Sequence, residues 1–213
     1  IEVKKMKNKR VLGMIGALLA IILVAVVYPM LNNKNEANKA DGTKKVKVGV
    51  LQLVSHPSLD EIYKGIQDGL AEEGYDKEKI EIEFLNAEGD QNKVATMSKQ
   101  LVQNNNDVLI GIATPSAQGL ASATKDKPIV MGAITDPVGA NLVKDLKKPG
   151  GNITGVSDHN PTEQQLKLIK ELTPNVKTIG VLYSTSEDNS KTQVEEFTKL
   201  AEKAGYKVVP YSV

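Results

Sequence analysis

Apolar positions recur along residues 46–213 in two interleaved rhythms, a period of two in short runs and a period near 3.6 in the stretches between them. The run 46–53 (VKVGVLQL) predicts a first strand. Leu59, Ile62, Tyr63, Ile66 and Leu70 follow at three- and four-residue spacing, which predicts a helix over 59–73 stopped by Gly74. Strict alternation in 80–85 (IEIEFL) predicts a strand with one wetter face, and 91–103 a helix with Val94, Met97, Leu101 and Val102 inward. The nearly continuous apolar run 107–113 (DVLIGIA) predicts a strand in a parallel sheet covered on both faces. A short helix over 116–124, opened by Thr114-Pro115, and strands at 128–132 and 153–156 come next. A helix over 162–172, a strand over 178–183, a helix over 187–204 and a strand over 207–211 finish the chain. This succession implies an α/β fold with an open, mostly parallel sheet and right-handed crossovers.

The pattern also repeats in form. Residues 46–51 (VKVGVL) and 177–183 (KTIGVLY) both open a strand, a polar loop and a helix that ends in Gly-Tyr, at Gly74-Tyr75 and Gly205-Tyr206. Two such starts predict two α/β lobes of like topology, the first spanning 46–160. Residues 161–213 supply only a crossover helix and a strand–helix–strand unit of the second. That is too little to cover a sheet on both faces, so the second lobe is expected to be incomplete within this sequence.

Ahead of the alternating region lies a 21-residue run, 11–31, without a charged side chain. At about 1.5 Å per residue it matches a ~30 Å hydrocarbon core. Lys4, Lys5, Lys7, Lys9 and Arg10 within the flank 1–10 predict that its N-terminal side stays cytoplasmic and that the remainder lies outside the cell. The alternative is a cleaved secretory signal. Tyr28, Pro29 and Met30 stand where a small-residue cleavage site is wanted, so an uncleaved single-pass anchor is preferred. Residues 32–45 (NNKNEANKADGTKK) are polar and read as a flexible linker.

Charge sharpens this division. Residues 1–45 carry nine basic and three acidic side chains, whereas 46–213 carry eighteen and twenty-three. A weakly acidic ectodomain with two histidines argues against a nucleic-acid partner. The chain has no cysteine, which excludes disulfides, thiolate metal sites and a lipid-bearing N-terminal cysteine.

In an open parallel sheet, ligands meet the loops beyond the carboxyl ends of the strands. Those loops are small and polar: Gln52 through Ser55, His56 and Pro57; Thr114-Pro115-Ser116-Ala117-Gln118; Thr135-Asp136-Pro137; and Ser157-Asp158-His159. Thr114 or Ser116 is expected to cap a helix whose free N–H groups suit a small anion such as a carboxylate, although an ordinary N-cap has the same pattern. Asp158 suits an ammonium or a simple surface role. Asp136-Pro137 is most simply a turn. His56 and His159 lack a third ligand for zinc. With Gly49 isolated and no Walker loop or Gly-x-Ser-x-Gly elbow, no catalysis and no cofactor are expected.

Residues 57–60 (PSLD), 65–70 (GIQDGL), 113–118 (ATPSAQ), 135–138 (TDPV), 152–158 (NITGVSD) and 180–190 in this order resemble the substrate-binding proteins of ABC importers. Within them, the resemblance is to the tryptophan/tyrosine binding group. It implies a type I periplasmic-binding-protein fold of two Rossmann-like lobes closing on a small solute, with an ABC permease and its ATPase as partners. Carried over by position, Thr114, Ser116, Ala117 and Gln118 would receive an amino acid carboxylate and Asp158 its ammonium. The Gln52, Ser55 and His56 loop, with Thr135 and Asp136, would shape the pocket, and Tyr183 and Asn189 would contribute from the second lobe. The chain departs from the family in having no lipid-accepting cysteine, so a transmembrane segment is expected to replace the lipid. The rival readings are a tethered extracellular solute sensor and a transport protein for a sugar, nucleoside or peptide.

Overall fold

The computed structural model describes residues 45–213; the predicted membrane segment 11–31, and all of the linker but Lys45, lie outside the described residues. Among the described residues no helix is long and apolar enough to cross a membrane. The elements follow in the order β1 (Val46–Gln52), α1 (Pro57–Glu72), β2 (Ile80–Asn86), α2 (Gln91–Gln103), β3 (Val108–Ile112) and α3 (Thr114–Ala123). They continue with β4 (Ile129–Ile134), β5 (Ile153–Ser157), α4 (Thr162–Leu172), β6 (Thr178–Tyr183), α5 (Asp188–Lys203) and β7 (Lys207–Ser212).

Five strands form one sheet in the order β2-β1-β3-β4-β5, and every neighbouring pair is parallel. The strand order reverses direction between β1 and β3, the switch point of a doubly wound sheet. The remaining strands, β6 and β7, pair in parallel as a separate ribbon.

Strand alternation sorts the core into two layers. Leu51, Leu53 and Leu109 face α2 and α3, where they pack with Val94, Leu101, Ala117 and Leu120. Val48, Val50, Ile110 and Ile112 face the other way, against Leu59, Ile62, Tyr63 and Ile66 of α1. The two faces are not equally covered. No residue of α1 is fully buried, and beside it an apolar groove of about 630 Å³ is lined by Val46, Ile66, Tyr75, Val130 and Val156. The sheet expected to be covered on both faces is thus sealed on one and, among the described residues, partly open on the other.

Local chemistry sets the helix ends. Asp90 caps α2 by accepting from the N–H groups of Asn92 and Lys93 at 2.7 and 3.2 Å. The two Gly-Tyr sequences close α1 and α5 in the same way. Gly74 and Gly205 take φ of +80° and +89°, and the N–H groups of Tyr75 and Tyr206 reach back to Leu70 and Ala201. This is the Schellman arrangement, which satisfies the last helical carbonyls and favours glycine at the left-handed position. Gly49, isolated in β1, makes room for Asn106, whose amide nitrogen lies 2.9 Å from where a Cβ would stand. Asn106 is buried and donates to Leu101 O and to Glu83, tying the last turn of α2 to the middle of β2.

Candidate functional site

The loops expected to carry chemistry emerge at the carboxyl end of the five-stranded sheet. Gln52 is the last residue of β1 and pairs in register with Ile112, the last residue of β3. Gln52 and the first turn of α3 therefore flank the switch point. α3 approaches β3 closely, because a Cβ on Gly111 would stand 2.7 Å from the backbone N and Cα of Ala117.

The first turn of α3 differs from the expectation in one respect. Neither Thr114 nor Ser116 caps the helix. The helix begins at Thr114, with Pro115 in its first turn, and the capping position falls to Ala113, which offers no side-chain hydrogen bond. Ala113 adopts φ +73° and ψ 156°, a conformation that favours glycine and costs an alanine roughly 1–3 kcal/mol. The result is a helix start with its positive dipole end uncapped and two hydroxyls inside it. Thr114 and Ser116 are 2% and 0% exposed, and neither Oγ has a hydrogen-bond partner.

Gln52 is also fully buried. Its amide nitrogen donates to Val54 O at 2.9 Å and to Asp60 Oδ1 at 2.7 Å, while Oε1 has no partner. Asp60, in the first turn of α1, belongs to the 57–60 motif but has no site role from sequence; it also accepts from Ser55 Oγ at 3.3 Å. His56 is spent on structure, since it caps α1 by accepting from the Ser58 N–H at 3.2 Å through Nδ1.

The remaining expected residues lie further along the same sheet edge. Asp136 makes the turn anticipated for it, accepting from the Gly139 N–H at 2.9 Å, and Thr135 beside it is half-buried. Asp158 follows β5, its N–H bonded to Ile134 O, and its side chain is exposed. Two strand spacings separate β3 from β5, about 10 Å at the backbone. His159 is exposed, 3.9 Å from Glu196.

Contact with the second strand–helix–strand unit runs through Asn160, which donates to Gln193 of α5, through His159 beside Glu196, and through Gln118. Its amide nitrogen donates to Ala140 O at 3.2 Å and to Asp188 Oδ2 at 3.0 Å, so both amide protons are committed and none is left for a carboxylate. This bond draws the first turn of α5 to α3, and with it Asn189, whose Oδ1 is buried without a partner. Tyr183 ends β6 half-buried and lines a cavity of about 170 Å³ with Asn160, Gln165 and Phe197. Tyr183 also lines a larger cavity of about 770 Å³ that runs along α5 and β7 past Lys191, Lys199 and Pro210. The fifth unpartnered buried atom, Ser98 Oγ, faces Gly119 between α2 and α3 and is remote from the strand ends.

The Gln118 amide, and after it Lys191, hold the Asp188 carboxyl below its ordinary value of 3.8. A carboxylate with a depressed folded-state value stabilises the fold above its unfolded value and loses that contribution as pH falls through the lowered one. The Gln118–Asp188 bond is therefore expected to hold from neutral pH through the ordinary carboxyl value of 3.8 and to be released only as pH falls through the lowered one. Gln118 side-chain amide resonances followed by NMR against pH check this; a transition centred near neutrality would contradict it.

In sum of chemistry, an uncapped helix start and two hydroxyls suit an anion, while Gln52 Oε1 and Asn189 Oδ1 suit donors. Among the described residues no cluster of three or more His, Cys, Asp or Glu side chains is placed to hold a metal.

Comparison with known proteins shows the family. The pattern of the family described as ABC transporter substrate binding protein matches residues 47–213. A tyrosine-binding protein of Clostridioides difficile is 47% identical over 179 residues, 84% of this chain and 52% of the relative. An ABC domain from Streptococcus pneumoniae solved in complex with L-Trp is 74% identical, with a TM-score of 0.78 over 80% of this chain and 58% of the other. The ligand-free, open structure of a substrate binding protein with adhesive properties from Clostridium difficile is 43% identical. Its TM-score is 0.61 over 78% of this chain and 57% of the other. The chain spans about half the length of these relatives.

Proposed function

This chain belongs to the family of ABC transporter substrate binding proteins, and from that premise we propose that it receives an aromatic amino acid outside the cytoplasm for an ABC importer. Its fold is of the type I periplasmic-binding-protein-like α/β kind, with one lobe, β1 to β5 and its helices, in view. Members of this family bind their solute without transforming it, and the chain is a binding component, not an enzyme.

The observation that carries the reading is the group of buried, unpartnered side chains, Gln52, Thr114 and Ser116, at the switch point beside an uncapped helix. A buried zwitterion needs both ends matched, since an unpaired charge is costly to take out of water. In our proposal the Thr114 and Ser116 hydroxyls take the carboxylate beside Ala117, whose own N–H is committed to Ala113 O at 3.2 Å, and Asp158 takes the ammonium. Gln118, its protons committed, ties α5 to α3 instead of meeting the carboxylate. The loop from Gln52 through Ser55 to His56, with Thr135 and Asp136, walls the pocket, and Tyr183 and Asn189 close it from the second lobe. Residues 46–160 form the first lobe and 161–213 begin the second.

Closure of the second lobe on a ligand held by the first expels water and strengthens every polar contact inside. The Gln118–Asp188 bond supports an approach of the two halves. The closed form would engage a membrane permease driven by its ATPase. Residues 11–31 would anchor the protein in the cell membrane, with 32–45 as the tether and the binding region extracellular.

The test is calorimetric titration of the full-length protein with tryptophan, tyrosine, phenylalanine and the other amino acids, then with nucleosides and sugars. Saturable binding of tryptophan or tyrosine in the micromolar range or tighter is expected. Silence from every amino acid in a folded protein would overturn the carboxylate and ammonium assignments.

A further inference from the structure

The least ordinary polar group in the described residues is the Gln52 carboxamide. A glutamine amide has two nearly isosteric ends, and which end points where is normally set by small preferences. Here both neighbours of the nitrogen, Val54 O and Asp60 Oδ1, are acceptors with no proton to give. Turning the amide over would set its oxygen against a carbonyl and a carboxylate. The orientation is therefore imposed, and Oε1 must face away from both. That atom is buried and unpartnered, and an amide oxygen accepts but never donates.

We infer that Asp60 is a positioning residue that locks Gln52 with its oxygen toward the ligand, so that this corner of the site selects a solute carrying a hydrogen-bond donor. The inference rests on the solute-binding reading above and deepens it. Tryptophan has two such donors, the α-ammonium and the ring N–H, and both are served by the same acceptor chemistry. Asp60 is itself exposed and touches Gln52 on the α1 side, which marks it as acting through Gln52. Ser55, bonded to the same carboxylate, adds a second donor that steadies it.

Two substitutions separate this role from a merely structural one. Gln52→Met keeps the length and removes both ends of the amide; Asp60→Ala leaves the amide but frees its orientation. The full-length protein and both variants are titrated with L-tryptophan, with tryptophan methylated on the ring nitrogen, and with indole propionate, which has no ammonium. The unaltered protein is expected to prefer tryptophan to the analogue lacking the relevant donor by roughly tenfold. Gln52→Met abolishes that preference and Asp60→Ala weakens it. The double variant is no worse than Gln52→Met alone, because the two residues act as one unit. Which analogue loses its handicap identifies the donor. Preferences over both analogues that survive unchanged in both variants, or that are absent from the unaltered protein, overturn the inference; a surviving preference over indole propionate alone is the share of Asp158. A protein that binds none of the three ligands overturns the transport reading instead.

Discussion

Alanine at position 111 is expected to destabilise the protein by about 2–3 kcal/mol and to weaken ligand binding with it. The cause is a collision with main chain. The added Cβ would lie 2.7 Å from both N and Cα of Ala117, and backbone atoms in a helix have no rotamer to retreat into. The strain is relieved only if α3 moves off β3, and the first turn of α3 holds Thr114 and Ser116. Fold and site are thus coupled through one missing methyl group. Two other glycines set the scale. At Gly119 a Cβ meets Val94 Cγ1 at 2.6 Å and Ser98 Oγ at 2.7 Å, side-chain atoms of α2 and not main chain, so Gly119→Ala should also destabilise, though less, and leave affinity near normal. At Gly65, in α1, nothing lies within 4 Å, and alanine there should gain up to about 1 kcal/mol from helix propensity. Denaturant unfolding and tryptophan titration of the three variants check the order. Equal behaviour of Gly111→Ala and Gly65→Ala would show that the close approach of α3 does not matter.

Periodicity carried most of the fold. The stretches 91–103, 162–172 and 178–183 were expected with the limits that α2, α4 and β6 have. Both helices that begin earlier than expected do so at a proline: α1 opens on Pro57, and α3 takes Pro115 into its first turn. Proline suits those positions because its fixed φ is already helical and its missing N–H is one the helix cannot use. Hydrophobic spacing cannot register that, as it starts counting at the first buried side chain.

The site was legible as a set of loops and less so as a set of roles. Loops at strand ends follow from βαβ succession alone, but the order β2-β1-β3-β4-β5, which sets Gln52 beside the start of α3, is a tertiary fact. The positive φ of Ala113 has no signature in an alanine, so Thr114 and Ser116 look like caps until the helix is seen to begin at Thr114 itself. The Gln52–Asp60 and Gln118–Asp188 bonds join residues 8 and 70 positions apart, on different elements. No local pattern marks them, and each changes what its glutamine can offer. What composition did convey was coarser: no cysteine, two histidines and no phosphate loop leave hydroxyls, amides and carboxylates as the available chemistry.

Asp158→Asn is expected to reduce tryptophan affinity by roughly a hundredfold to a few thousandfold, the loss of about 3–5 kcal/mol that follows when one partner of a desolvated ion pair is removed. The aspartate is exposed in this structure and makes no side-chain bond among those described, so its neutralisation should leave unfolding unchanged. All of the cost should fall on the bound state, where lobe closure takes the ammonium out of water. Indole propionate provides the internal control, since a ligand without the ammonium has nothing to lose and should bind the variant no worse than the parent. Measured side by side, these titrations assign the two ends of the solute. A large loss confined to tryptophan places its ammonium on Asp158, about 10 Å of sheet away from the start of α3, and leaves the ring N–H as the donor for Gln52. An unchanged tryptophan affinity would remove Asp158 from the site and shift the ammonium to the unpartnered oxygens of Gln52 and Asn189. Charge would then be matched by amide dipoles alone, and the preference for a zwitterion over its uncharged relatives should be correspondingly shallow.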